Sequence, residues 1–158
     1  KRDEGVWGAF LLDYFFYTIN SFYFYTKLMK IGTFDISKYN INITTTTNEV
    51  ILTDERKWHI LKRHPEVKPY INKISEILSN PDNVYLETTK ENTLWLIKKY
   101  DKNVKITLKL QVVKNKKYKN SIIQMQYITE RRIIKYLESG RIKIVNKIAE
   151  NECKIVAI

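Results

Sequence analysis

The sequence has few of the residues from which disulfides, metal sites and sharp turns are usually built. Its 158 residues include one cysteine, two histidines, four glycines and three prolines. The single cysteine, Cys153, excludes an intramolecular disulfide and any zinc site made of paired cysteines. No group of carboxylates resembles a two-metal catalytic centre. We therefore expect no metal site and no cofactor.

Acidic residues are also scarce relative to basic ones. The chain has 28 Lys and Arg against 17 Asp and Glu, which gives a net charge of +11 and a pI near 9.6. This surplus predicts attraction to a polyanion, either nucleic acid or an anionic membrane surface. An AT-rich genome would explain many lysines, but it would not explain why cations cluster around both histidines.

The chain is long enough for one good hydrophobic core. It contains no internal repeat and no long linker rich in proline, glycine and serine. Because the sequence begins at Lys1 rather than at methionine, we expect it to be a piece of a longer polypeptide.

Residues 6–31 are unusually aromatic, and their apolar side chains recur at three- and four-residue steps, which predicts a helix ended by Gly32. Asp13 and Asn20 interrupt the apolar run, so we expect no stable membrane span. The helix would contact the following domain, a second copy in a homodimer, another partner or a membrane surface. We place residues 1–34 in this segment and residues 35–158 in the main domain.

The rest of the chain predicts an α+β fold, with helices first and then an antiparallel sheet of about four strands. A helix is expected to begin after Thr53 and to end by His64, and residues 67–78 form a second one. Strands follow between residues 84 and 129, then a short helix and one or two short strands. Alternation over residues 105–112 predicts one buried face and one wet, basic face.

Both histidines lie within six residues, His59 and His64, among arginines and lysines. Two imidazoles beside fixed cations can transfer protons next to a phosphate. On a regular helix the two side chains would lie about 140° apart, too far to share a cleft. They can share one only if His64 lies in the non-helical exit before Pro65.

The residues from Leu52 to Arg56, then His59-Ile-Leu-Lys-Arg-His-Pro-Glu66, Asn80-Pro-Asp82 and a strand meander ending in Tyr127-Ile-Thr129 form a recognisable set. Over residues 50–136 the chain resembles the phage-type branch of the barnase–EndoU–colicin–RelE nuclease superfamily. The resemblance implies a metal-independent ribonuclease with helices packed on an antiparallel sheet. It also implies a toxin that acts on RNA in the bacterial cytoplasm, in some cases after delivery from a larger secreted protein.

The resemblance places the catalytic positions at His59, Arg63, His64 and Thr129. The histidines would share the acid and base roles, Arg63 would clamp the phosphate, and Thr129 would donate a hydrogen bond to it. Further candidates for binding RNA, as cations along the backbone or as a stacking ring, are Lys62, Lys98, Lys99, Lys109, Arg131 and Tyr127.

Substrates such as tRNA are compatible with this hypothesis, and the strong basic charge suits an acidic immunity protein or antitoxin as partner. Two alternatives remain at this point. One is a non-catalytic nucleic-acid-binding domain, and the other is an interaction protein whose active part is the aromatic segment 1–34.

Overall fold

The computed structural model describes residues 28–112 and 119–148. These residues form three α-helices, two 3₁₀-helices and seven strands. The strands are β1 (Leu28–Thr33), β2 (Glu49–Thr53), β3 (Asn83–Glu87), β4 (Thr93–Lys99), β5 (Asn103–Lys109), β6 (Asn120–Tyr127) and β7 (Ile142–Val145). The α-helices are α1 (Asp54–Arg63), α2 (Ile74–Ser79) and α3 (Glu130–Glu138), and the 3₁₀-helices are Ile36–Lys38 and Pro65–Lys73.

All seven strands belong to one mixed sheet with the order β1-β2-β6-β5-β4-β3-β7. Every neighbouring pair is antiparallel except β2 and β6, which run parallel. The α+β class is confirmed, but the prediction of a purely antiparallel sheet of about four strands is wrong. The sequence pattern identified the central meander; pairing with distant segments at both edges adds the remaining strands.

The first face of the sheet carries the larger core. Leucine, isoleucine and valine side chains of β2, β4, β5 and β6 pack there against α1, α2 and the 3₁₀-helix Pro65–Lys73. Residues 67–78 were predicted as one helix, and the predicted apolar positions are buried except Tyr70, which is partly buried. The first part is a 3₁₀-helix, however, since Pro69 removes a backbone donor from its interior.

The second face of the sheet is covered in part by α3. Ile133 of this helix packs with Trp95, Ile97 and Ile142 in a smaller core, and the Tyr136 ring meets the Trp95 ring edge-on at 5.3 Å. The sheet is therefore buried on both faces over β3 and β4, which explains why the first five of the seven residues of β4 are all buried.

The prediction of a wet, basic face on β5 is wrong for Lys105 and Thr107, which are 3% and 1% exposed. Alternation placed both on one face correctly, but that face is not open. Lys105 Nζ lies 3.9 Å from the centre of the Trp95 ring of the neighbouring strand. The Trp95 indole lies beside the lysine, and helix α3 packs on this face. Together they exclude the water that was expected there.

The segment Leu28–Thr33 is a strand paired with β2, so the helix predicted over residues 6–31 is wrong for residues 28–31. Gly32 does not end a helix but lies in β1, next to a register irregularity, where a Cβ atom would come 3.0 Å from Leu78 Cδ1. Residues 1–27 lie outside the described part of the chain, and the division at residues 34 and 35 stays a prediction. Across residues 28–112 and 119–148, no helix has both the length and the apolar character to cross a bilayer.

One carboxylate organises the polar part of the second face. Glu87 is 3% exposed, and its Oε2 accepts a hydrogen bond of 2.7 Å from Trp95 Nε1. Its Oε1 lies 3.5 Å from Arg141 Nη2 and 3.9 Å from Lys90 Nζ. Burial alone would raise the pKa of Glu87, but the Trp95 hydrogen bond and the nearby cations lower it, so the group stays ionised.

We predict that Glu87→Gln lowers the free energy of unfolding by about 2–4 kcal/mol, because the buried Lys105 and the partly exposed Lys90 and Arg141 lose their counter-charge. Glutamine keeps an acceptor for Trp95, which isolates the charge effect. The difference from the wild type should shrink as the pH falls below the ordinary range of a carboxyl group, since the lowered pKa makes this stabilisation disappear in acid. Urea unfolding at several pH values measures both effects.

Glu91→Gln is the control, because Glu91 lies in the exposed turn after β3. Equal stability of Glu87→Gln and Glu91→Gln at neutral pH would contradict the role given to the Glu87 carboxylate.

Candidate active site

The helix that carries both histidines begins where the sheet opens. Strands β2 and β6 pair over only two positions, Val50 with Asn120 and Ile51 with Ser121. Beyond them the chain leaves the sheet at Thr53 and continues as α1, which packs beside β6 in place of a strand. This leaves a gap that is lined by helix α1 on one side and by strand β6 on the other.

Local sequence explains how α1 starts. Thr53 is its N-cap, and the Thr53 Oγ1 atom accepts a hydrogen bond of 3.1 Å from the Arg56 backbone N–H. Asp54 and Glu55 lie in the first turn, where the helix dipole favours negative charge. Ile60 is buried and holds the helix on the core, so neighbouring positions are left to line the gap.

The end of α1 sets the direction of the second histidine. His64 is the C-cap, its backbone is no longer helical (φ −133°, ψ 64°), and its N–H still donates to the Ile60 carbonyl at 2.8 Å. The helix end predicted from Pro65 is therefore confirmed. His64 Nδ1 lies 3.2 Å from Glu66 Oε1, which gives the imidazole ring a partner on the side of Nδ1.

Both histidines line one cleft of about 410 Å³. The angular separation expected for a regular helix does not keep them apart, because His64 has left the helix. Three further cations and an amide line the same cleft. Its full lining is Arg56, His59, Ile60, Arg63, His64, Lys90, Ile123 and Gln124.

A β-bulge supplies the strand side of the cleft. Thr107 of β5 pairs with Gln124, whereas the next residue, Leu108, pairs with Ile122, so Ile123 is the extra residue. Ile123 and Gln124 both line the cleft. Sequence reasoning missed these two residues and Lys90, because neither the bulge nor the approach of the turn after β3 leaves a local signal.

Comparison with known protein families matches residues 30–135 to the family described as phage-Barnase-EndoU-ColicinE5/D-RelE like nuclease3. The match covers more than half of the 158 residues. The chain belongs to this nuclease family. The resemblance seen in the sequence is thereby confirmed, and the matched range includes both histidines and the whole cleft. No curated protein and no solved structure matches the chain.

In this nuclease, Thr129 stands apart from the histidine cleft. It is the N-cap of α3, and its Oγ1 accepts a hydrogen bond of 3.3 Å from the Arg132 backbone N–H. Thr129 and Arg131 line a separate cavity of about 480 Å³ with Arg132, Lys135 and Tyr136. The structure thus joins three of the four predicted catalytic residues in one cleft, and the role of Thr129 stays a prediction.

Three of the other predicted RNA-binding residues lie outside the lining of the histidine cleft and are exposed or partly exposed. Lys62 is exposed on α1, with Nζ 4.7 Å from the centre of the Trp58 ring. Lys109 follows Lys105 and Thr107 on the second face, and its Nζ donates to the Glu91 carbonyl. Lys99 pairs with Glu130 at 3.6 Å where both side chains are exposed, so water screens the pair.

Two of the predicted RNA-binding residues, Lys98 and Tyr127, make contacts within the fold. Lys98 Nζ donates to the Asn80 carbonyl at 2.9 Å and lies 3.4 Å from Asp82 Oδ1, which ties β4 to the end of α2. The Tyr127 ring packs edge-on against Tyr70 at 5.9 Å on the first face. Neither geometry shows a site for RNA, and their predicted binding roles stay predictions.

We predict that Thr53→Ala lowers the free energy of unfolding by about 1 kcal/mol, because the first turn of α1 loses its cap. Thr53→Ser keeps the hydroxyl acceptor and should retain most of that stability. Urea unfolding of the two variants beside the wild type measures the difference. Equal stability of Ala and Ser at this position would show that the cap does not hold the start of α1.

Proposed function

We propose that this nuclease is a metal-independent endoribonuclease that cleaves RNA by acid–base transphosphorylation. The observation that carries the proposal is the single cleft that contains His59 and His64 together with Arg56 and Arg63. Proton transfer needs two groups on opposite sides of one phosphate, and the cations balance the charge that builds up there.

In the proposed reaction, one histidine takes the proton of the ribose 2′-hydroxyl, and the 2′-oxygen attacks the adjacent phosphorus. The bond from phosphorus to the 5′-oxygen breaks, and the other histidine protonates that leaving oxygen. The products are a 2′,3′-cyclic phosphate and a 5′-hydroxyl. Because Glu66 lies at Nδ1 of His64, Nε2 is the nitrogen left to exchange a proton with substrate.

The guanidinium of Arg63 is assigned to the scissile phosphate, since its planar fork can donate to two oxygens at once. Arg56 and Lys90 add positive charge on the two sides of the cleft, and the Gln124 amide adds a neutral donor. In this arrangement the base and the acid are both side chains, so the bond-breaking step requires no metal ion.

The proposal extends to a biological role. The enzyme would act as a toxin on cellular RNA such as tRNA, in the bacterial cytoplasm, after delivery from a larger protein or from a phage. An acidic immunity protein or antitoxin would cover the cationic cleft. The net charge of +11 and the nuclease family support this role.

We predict that His59→Ala and His64→Ala each lower RNA cleavage by about 10²- to 10⁴-fold, the scale of a lost general acid or base. The assay is incubation of total RNA with purified protein in excess EDTA, followed by mapping of new ends. Glu55→Ala is the matched control on the same helix, because Glu55 is exposed and does not line the cleft.

Cleavage at the wild-type rate by both folded histidine variants would contradict the mechanism. Intact RNA that nevertheless binds with strong salt dependence would favour a non-catalytic nucleic-acid-binding domain. Cleavage that appears only when magnesium is restored would contradict the metal independence.

A further inference from the structure

A second cationic group lies beyond the histidine cleft, on the second face of the sheet. Its centre is formed by Lys105 and Thr107, alternate residues of β5 whose side chains lie on the same face. We name it the Lys105 cluster and include Glu87, Arg132 and Arg141, whose charges act on Lys105. Lys105, Thr107 and Glu87 are each at least 97% buried, which is unusual for polar side chains.

The ammonium group of Lys105 has no hydrogen-bond acceptor and no carboxylate within 4.0 Å among the described residues; its close contact is the Trp95 ring, 3.9 Å away. An ammonium group has three donors, and a cation on so nearly buried a side chain is unfavourable without an acceptor, although the tip of Lys105 keeps some contact with solvent, since Nζ is not one of the fully buried unpaired atoms. A cation–π contact offsets only part of that cost. The geometry therefore leaves Lys105 with donors to spare.

Two more polar atoms of the same region lack partners in the described part of the chain. Thr107 Oγ1 and Arg141 Nε are both buried without a hydrogen bond. Glu87 does not supply the missing acceptors, because its oxygens accept from other groups, namely Trp95 Nε1 at 2.7 Å, Thr89 Oγ1 at 3.1 Å and Arg141 Nη2 at 3.5 Å. Native proteins seldom leave such groups unpaired, so each calls for an explanation.

The charges of the region are also unbalanced. Glu87 is the one carboxylate that raises the pKa of Lys105, whereas Arg132, Lys90 and Arg141 lower it. Burial is the largest cause, and the pKa of Lys105 falls to about 8. An anion placed beside Lys105 would relieve the repulsion among these cations and give its ammonium group an acceptor.

The Lys105 cluster is continuous with the histidine cleft through two residues. Lys90 lines the cleft and lies 3.9 Å from Glu87 Oε1. Gln124 lines the cleft and pairs with Thr107 across β5 and β6. A polyanion in the cleft can therefore continue over Gln124 towards the tip of the Lys105 side chain.

We propose that the Lys105 cluster is a phosphate-binding subsite for the RNA strand, in which the tip of the Lys105 side chain donates to a backbone phosphate next to the one held between the histidines. Arg132 and Arg141 contribute the surrounding positive charge. This inference rests on the proposed function for the identity of the ligand. Its observations, the Lys105 ammonium without an acceptor and the charge imbalance, are independent of the histidines.

The test measures binding of a 2′-O-methyl RNA oligonucleotide, which cannot undergo attack by a 2′-hydroxyl and so remains intact. We predict that Lys105→Met weakens its affinity by at least about tenfold, the scale of one lost charge-assisted hydrogen bond. The slope of log Kd against log salt should fall by about 0.7, the value for one phosphate contact on a single strand.

Lys143→Met is the matched control, since it removes the same charge from an exposed position on β7. It should change the affinity by less than about threefold, because exposed charges are screened. Wild-type affinity of Lys105→Met, or an equal loss in both variants, would overturn the subsite.

The stability of Lys105→Met separates binding from a packing role. If the lysine is held for binding, replacing it with methionine removes a buried unpaired charge and leaves the unfolding temperature unchanged or higher. If the lysine is kept only for its contact with Trp95, Lys105→Met should unfold at a lower temperature and bind the oligonucleotide with unchanged affinity. That result would overturn the proposal.

The pH dependence gives a further readout. Affinity should weaken above about pH 8 in the wild type, as the Lys105 ammonium loses its proton, and this change should be absent in Lys105→Met. The charged groups that act on Lys105 are Glu87 of β3, Lys90 of the following turn, Arg132 of α3 and Arg141 before β7. The arginines remain charged through this range, and Glu87 remains ionised.

The two proposals fail in different ways. Normal oligonucleotide binding by Lys105→Met with loss of cleavage in the histidine variants would overturn the subsite alone. Weakened binding by Lys105→Met, together with full cleavage by His59→Ala and His64→Ala, would support the subsite and contradict the proposed mechanism.

Discussion

The short parallel contact between β2 and β6 is the constraint on which the candidate active site depends. Two paired positions are enough to fix β2 in the sheet, and the chain then leaves at Thr53. Helix α1 takes the place that a longer strand would have occupied, so one edge of β6 faces a helix instead of a partner strand. The bulge at Ile123 lies on the same strand, in its pairing with β5 on the other side. An opened sheet, a capped helix and a bulge together create a cationic cleft without disturbing the core beneath Ile60.

Charge is distributed unevenly between the two faces of the sheet. The first face is apolar and provides most of the stability through packing against α1 and α2. The second face buries Glu87 and Lys105 with several cations around them. Buried polar groups without partners lower the stability of the fold, and proteins retain such groups mainly at functional sites. Lys90 and Gln124 connect the cleft to the buried cluster, and in our proposal the two form one continuous surface for a polyanion.

Local signals predicted the parts of this site that depend on neighbouring residues. Thr53 as a cap and Pro65 as a stop gave the limits of α1, because both act within one helical turn. Alternation placed Lys105 and Thr107 together, but it could not show that α3 and Trp95 would bury them. Lys90 and Gln124 reach the cleft through contacts distant in sequence. The edge strand at residues 28–33 was mistaken for part of a helix, because its strand geometry comes from pairing with β2.

The central claim is that the ribose 2′-hydroxyl is the nucleophile and that histidines move the protons. Analysis of the ends produced from RNA in excess EDTA tests it most directly. We predict 5′-hydroxyl ends, which a polynucleotide kinase labels without prior phosphatase treatment, opposite 2′,3′-cyclic phosphates. Ends that carry a 5′-phosphate would show attack by water on a different bond, and would contradict the account of the cleft formed by His59 and His64.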